Sequence, residues 1–100
     1  MTTLGDLVLK VRSKNAGPFW VTIDVFCDDP AVYDRLTRNL STDRVAALYR
    51  TAPDTLKRFD IPDLRVIKFS LPRPVIQGSA SDRDMHGAQY AALLEELAID

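Results

Sequence analysis

Apolar and polar positions alternate from Leu7 to Val11, with Leu7, Leu9 and Val11 on one side and Val8 and Lys10 on the other. A period of two over five residues predicts a short strand there. The run Arg12-Ser13-Lys14-Asn15-Ala16-Gly17-Pro18 breaks the pattern with polar and turn-forming residues and predicts a loop. Phe19 to Cys27 resumes it and is the clearest strand in the chain. Val21, Ile23, Val25 and Cys27 share one face, and Trp20, Thr22, Asp24 and Phe26 the other.

The period then changes to that of a helix. Asp29 stands as N-cap with Pro30 at the first helical position, and Val32, Leu36 and Leu40 supply the stripe. Ser41 or Thr42 opens a second helix carrying Val45, Leu48 and Tyr49. Leu56 to Asp60 and Leu64 to Leu71 return to alternation, joined through Ile61-Pro62-Asp63, with Ile67, Phe69 and Leu71 as the buried face of the second strand. Pro72 and Pro74 end it, because proline lacks the N–H that an inner strand must donate. Ser81, with Asp84 three residues on, caps a last helix running to about Ala98, its stripe formed by Tyr90, Leu93, Leu94 and Leu97.

The order ββααββα, with short connections, predicts an α+β fold: a two-layer sandwich of a mainly antiparallel sheet with helices on one face. At 100 residues, 46% apolar and 27% charged, residues 1–100 have material for one core and one domain. Four Phe, three Tyr and one Trp, with many branched aliphatics, exclude disorder. Thirteen cationic side chains against fourteen acidic ones leave a formal charge of −1, which argues against a nucleic-acid partner.

Cys27 is the single cysteine and His86 the single histidine, so neither an internal disulfide nor an ordinary transition-metal site is expected, and no cofactor is implied. Cys27 reads as a small buried hydrophobe, and His86 as a surface or interface group with no nucleophile beside it. The first ten residues lack the basic start and apolar run of a signal peptide, and no stretch approaches the ~18 apolar residues that span a membrane. A cytoplasmic protein without membrane contact is the expectation.

Two polar segments carry the candidate chemistry. Arg12, Ser13, Lys14 and Asn15 bring two cations, a hydroxyl and an amide together before the turn at Gly17, donors suited to a carboxylate or phosphate. Arg73, Gln77 and Arg83, with Gly78 and Ser79 between them, offer a second donor set ahead of the last helix, where Asp82 and Asp84 would oppose an anion. If both segments lie at one sheet edge, Arg12 and Arg73 meet in a single site. Trp20 and Phe26, flanking Asp24, form a candidate apolar patch for another chain. Neither a catalytic triad nor a glycine-rich phosphate fingerprint occurs, so a complete active site within this chain is not expected.

These segments also carry a resemblance. Arg-Ser-Lys-Asn-Ala-Gly-Pro-Phe at 12–19, the strand ending in Asp28-Asp29, Pro-Arg-Pro-Val at 72–75, Gly-Ser at 78–79, Asp-Arg-Asp at 82–84 and Gly-Ala-Gln at 87–89 resemble the small bacterial family known as domain of unknown function 4387. More loosely, the plan is similar to the C-terminal, ferredoxin-like domain of AtuA-like acyclic terpene utilisation proteins. There, an Arg-Ser-Gly-Asp-Lys-Gly stretch stands where this chain has Arg12 to Gly17, and the chain departs from it at Lys14, Asn15 and Ala16. The resemblance implies a ferredoxin-like fold and a separate AtuA-like large subunit as partner. It also implies a lyase or hydratase acting on a small carboxylate or an acyl-CoA, to which the chain adds anion-binding residues. A non-catalytic interaction module, or a homo-oligomer whose chains complete each other's sites, are the other arrangements open to it.

Overall fold

A computed structural model of the protein describes residues 2–17, 19–72 and 89–99. Its elements in chain order are α1 (Leu4–Leu7), β1 (Lys10–Asn15), β2 (Trp20–Phe26), α2 (Pro30–Asn39), α3 (Thr42–Leu48), β3 (Lys57–Ile61), β4 (Val66–Pro72) and α4 (Gln89–Glu95). The four strands form one antiparallel sheet in the order β1-β2-β4-β3. Two hairpins, β1–β2 and β3–β4, are joined at the centre by β2 and β4. The α+β sandwich expected from the alternation is the fold.

Burial follows the pleat. Val21, Ile23 and Val25 of β2 pair in register with Leu71, Phe69 and Ile67 of β4, and all six are fully buried. They form one cluster with Leu36 of α2, Leu40, Val45 of α3 and Leu94 of α4, so the described helices cover this face of the sheet. Full burial of each such side chain is worth about 1.5–3 kcal/mol, which sets the register, because a one-residue slip would expose every one of them.

The local signals behave as their chemistry requires. Asp29 Oδ1 accepts the Ala31 N–H at 2.8 Å, with Pro30 in the first turn of α2. Ser41 Oγ accepts the Arg44 N–H at 3.1 Å at the start of α3. Arg58 was anticipated only as part of a strand, yet its guanidinium donates to the carbonyls of Thr37 and Leu40 at the end of α2 and pairs with Asp60 at 2.9 Å. A cation at a helix C-terminus suits the negative end of the dipole.

The first element differs from expectation. Residues 4–7 form a helical turn, and the strand begins at Lys10 and runs through Asn15, across what reads in sequence as a loop. The Thr3 N–H donates to Asp6 Oδ2 at 3.1 Å and the Asp6 N–H to the Thr3 carbonyl at 3.1 Å, closing the turn locally. Hydrogen bonds to the Asp6 carboxyl from Thr3, from its backbone N–H first and its side chain second, hold that carboxyl below the usual carboxylate range. β1 is polar because only one of its faces is buried, and its partner β2 supplies the apolar alternation that keeps it in register.

The last helix also ends earlier than expected. α4 stops at Glu95, and the following residues pair with the start of the chain through Leu4 N–H to Leu97 carbonyl (2.8 Å) and Ile99 N–H to Thr2 carbonyl (2.8 Å). α1 lies tight on α4: a Cβ at Gly5 would stand 3.2 Å from Glu95 Cβ. Tyr49 donates its hydroxyl to the Tyr90 carbonyl, with the two rings 5.3 Å apart, and burial pushes that hydroxyl well above the ordinary tyrosine range. The expected cap at Ser81 lies outside the described residues.

Candidate functional site

Because Arg12 to Asn15 form a strand, the pleat divides them. Arg12 and Lys14 stand with Lys10 on the face away from the helices, all three exposed, while Ser13 and Asn15 share the pleat of Ile23 and Val21. Ser13 serves the fold, since its Oγ accepts the Ala91 N–H of α4 at 2.9 Å. The polar cluster expected of a loop is therefore two pairs of side chains pointing opposite ways. Gly17 sits in the β1–β2 turn at φ 82°, a left-handed conformation that glycine adopts without strain, and the Ala16 N–H closes the turn onto the Trp20 carbonyl at 2.8 Å.

Strand pairing then writes the open face as rows across the sheet. Lys10, Phe26, Val66 and Ile61 form the first, and Arg12, Asp24, Lys68 and Phe59 the second. Lys14, Thr22, Ser70 and Lys57 form the third, and Trp20 and Pro72 the fourth. Five cations thus face one carboxylate, in a chain whose overall formal charge is −1. The Lys10 ammonium lies 5.0 Å from the centre of the Phe26 ring, and Lys57 lies 5.5 Å from that of Trp20. A cation over an aromatic face is favourable by about 0.5–1 kcal/mol at exposed sites. Trp20 and Phe26 share this face, as their alternation predicts, and Phe59 joins them from β3 with half its surface exposed.

A shallow cavity of about 130 Å³ lies against β1 and β2, lined by Arg12, Ser13, Lys14, Asp24 and Phe26. A guanidinium, an ammonium and an aromatic edge around so small a space suit one oxyanion rather than an extended apolar ligand. Asp24 stands between Arg12 and Lys68 in the register, which moderates the positive charge of its own row.

Cys27 takes no part in this face: it is buried in the core, and burial pushes its thiol up to about 11. Among the described residues no group of three or more His, Cys, Asp or Glu is placed to hold a metal ion, and no helix is long and apolar enough to cross a membrane. Arg73, Gln77, Gly78, Ser79, Arg83 and His86 lie outside the described residues, and with them the expected meeting of Arg12 and Arg73. Sequence reasoning placed Thr22 on this face but missed Lys57, Ser70 and Phe59. Each is an ordinary polar or aromatic strand residue in sequence, and only the pairing of four strands brings them beside Arg12 and Lys14.

Among known proteins, no curated protein and no solved structure matches the chain. The family model described as Domain of unknown function (DUF4387) matches residues 4–98, and the chain belongs to that family.

Proposed function

From membership of that family, we propose that this chain is the small subunit of a two-subunit metabolic enzyme. Its partner is an AtuA-like large subunit, and the reaction is of the lyase or hydratase kind on a small carboxylate or an acyl-CoA. The observation that carries this reading is the open sheet face, where Arg12 and Lys14 project from one pleat of β1 beside Phe26 and Asp24. The described helices are spent on the other face of the sheet, and a second subunit seated on the open one would exclude water around these cations. With water excluded, an oxyanion held by a guanidinium and an ammonium is stabilised far more than in bulk solvent.

In this scheme Arg12 grips two oxygens of the anion side by side and Lys14 adds a point charge. The large subunit supplies the acid and base. The segment holding Arg73, Gln77, Gly78, Ser79 and Arg83 is proposed to add donors to the same shared site. Co-purification with the large subunit, identified by mass spectrometry, is the first test, and turnover of the complex the second. Arg12→Ala is expected to lower turnover at least about a hundredfold, the scale of losing one partner of a desolvated ion pair. The variant chain should unfold at the wild-type denaturant midpoint, since Arg12 is exposed. Unchanged turnover overturns the assignment.

A second reading draws on the aromatic side chains of the same face. Trp20 and Phe59, both exposed, suit a non-catalytic module that stabilises or regulates its partner through aromatic anchors. Loss of the complex in Trp20→Ala, with full activity retained in Arg12→Ala, would establish that reading instead.

A further inference from the structure

β2 is an inner strand, paired on both sides, and Asp24 stands near its middle among Val21, Ile23 and Val25. Such a position favours branched and aromatic residues, and aspartate is among the residues least suited to it. Its register partners are Arg12 on β1 and Lys68 on β4, so an ordinary cross-strand ion pair would account for it. Neither pair is closed. All three residues are described, and the Asp24 carboxylate makes an ion pair with neither cation. Arg12 and Asp24 instead line the same cavity of about 130 Å³, together with Lys14 and Phe26. Arg12 and Lys14 are exposed and Asp24 and Phe26 half-buried, so a small ligand reaches all four from solvent.

A seat for a bare oxyanion has no use for a carboxylate in its wall. Arg12 and Lys14 donate hydrogen bonds, whereas a carboxylate accepts them and repels a second anion. A ligand that sets an oxyanion against the cations and a hydrogen-bond donor against Asp24 uses both sides. Those sides come from directly opposed residues on strands about 4.8 Å apart, so the two groups of the ligand must lie close together on its skeleton. The donor is a hydroxyl rather than an ammonium. Lys10, Lys57 and Lys68 share the face with Arg12 and Lys14, and together they repel added positive charge. Phe26, whose ring carries the Lys10 ammonium, offers apolar contact to the carbon between the two groups.

We propose that the cavity between Arg12 and Asp24 selects a small hydroxy carboxylate, its hydroxyl one or two carbons from the carboxyl group. Arg12 and Lys14 hold the carboxyl oxygens, and Asp24 accepts the hydrogen bond of the hydroxyl and so sets specificity. This selectivity rests on the reading of the face as anion-binding and names the substrate class. Water added across the double bond of an unsaturated carboxylate gives such a compound, and its removal consumes one, which suits a hydratase or a dehydrating lyase.

The test uses the full chain alone, isotopically labelled for amide NMR, at constant ionic strength. It is titrated with lactate and 3-hydroxybutyrate, with propionate and butyrate, which lack only the hydroxyl, and with alanine. Saturable shifts centred on residues 12–14 and 24–26 are expected. Lactate or 3-hydroxybutyrate, according to which spacing fits, should bind about tenfold tighter than its own parent acid, the scale of a hydrogen bond to a charged group. Asp24→Val should erase that preference while holding the parent acid at least as tightly as wild type, since a repelling charge is gone. Asp24→Asn keeps the shape of the side chain and a neutral acceptor, and should shrink the preference to about threefold, so the comparison survives if the valine variant does not fold. Lys57→Gln, on the same face but outside the cavity, should bind within about twofold of wild type, the scale of a screened charge not in contact with the ligand.

Equal affinity for hydroxy and parent acids, a preference kept in full by both Asp24 variants, or tighter binding of alanine than of lactate overturns the selectivity. So does the absence of saturable shifts at residues 24–26. Each of these outcomes leaves an Arg12-dependent turnover of the two-subunit complex standing. Conversely, a preference for the hydroxy acid in the isolated chain stands if no large subunit is recovered.

Discussion

At the residue scale, four consecutive side chains show how far a strand can scatter a cluster. Arg12, Ser13, Lys14 and Asn15 look like one polar group in sequence, and the pleat sends alternate members to opposite faces. Ser13 consequently holds a backbone N–H of α4, from Ala91, which stands 78 positions further along the chain. Ser13→Ala removes that acceptor and is expected to lower stability by about 1 kcal/mol, read as a lower urea midpoint at unchanged slope. Two features were legible without coordinates. Cys27 is buried as its alternation implies, and Trp20 and Phe26 share the face opposite to it. The role of Ser13 was not legible, because no local pattern announces an acceptor whose donor arrives from a distant helix.

At the element scale, the starts of helices were readable and some ends were not. Asp29-Pro30 and Ser41 satisfy the first N–H groups of α2 and α3 with their own side chains, a chemistry confined to one turn and therefore visible in sequence. The end of α3 uses a residue that the sequence does not advertise. The Thr51 N–H reaches the Ala46 carbonyl at 2.9 Å and the Arg50 N–H reaches the Ala47 carbonyl at 3.1 Å, the Schellman pattern. Arg50 occupies the left-handed position, at φ 55°, where glycine is the usual residue. Arg50→Gly is expected to raise stability by about 0.5–1 kcal/mol, since the steric cost of a Cβ at positive φ is removed. Urea titration of the exposed-site variant measures it. α1 escaped the alternation reading because a helix of four residues, closed by the bond between Thr3 and Asp6, is too short to show a period.

At the scale of the whole molecule, the two ends of the described chain close on each other. Thr3 bridges to Ala98, and the Ile99 N–H donates to the Thr2 carbonyl at 2.8 Å, while Leu4 and Ile99 both sit in the core. Ile99 is 1% exposed, as buried as the central strands. Ile99→Ala should therefore cost about 2–4 kcal/mol, the range for truncating a core aliphatic, with a matching fall in the urea midpoint. A value near zero would mean that this closing contact adds nothing to the folded state. The same scale produces the candidate site. Five cations and three aromatics from four strands form one face, although only Lys10, Arg12 and Lys14 among the cations are near neighbours in sequence.

Sequence alone determined what depends on near neighbours: the class of the fold, the strand centred on Ile23, the buried side of β4, two helix caps and the family resemblance over nearly the whole chain. Each of these is decided within a few residues, by period, by a capping side chain or by a run of identities. Only the tertiary structure decided that the polar stretch at Arg12 is an edge strand. It alone placed Ser13 under α4 and Lys57 and Ser70 beside Lys14 and Thr22. The physical reason is that pairing between strands is fixed by burial of the apolar face summed over the whole sheet. The open face inherits whatever neighbours that burial imposes.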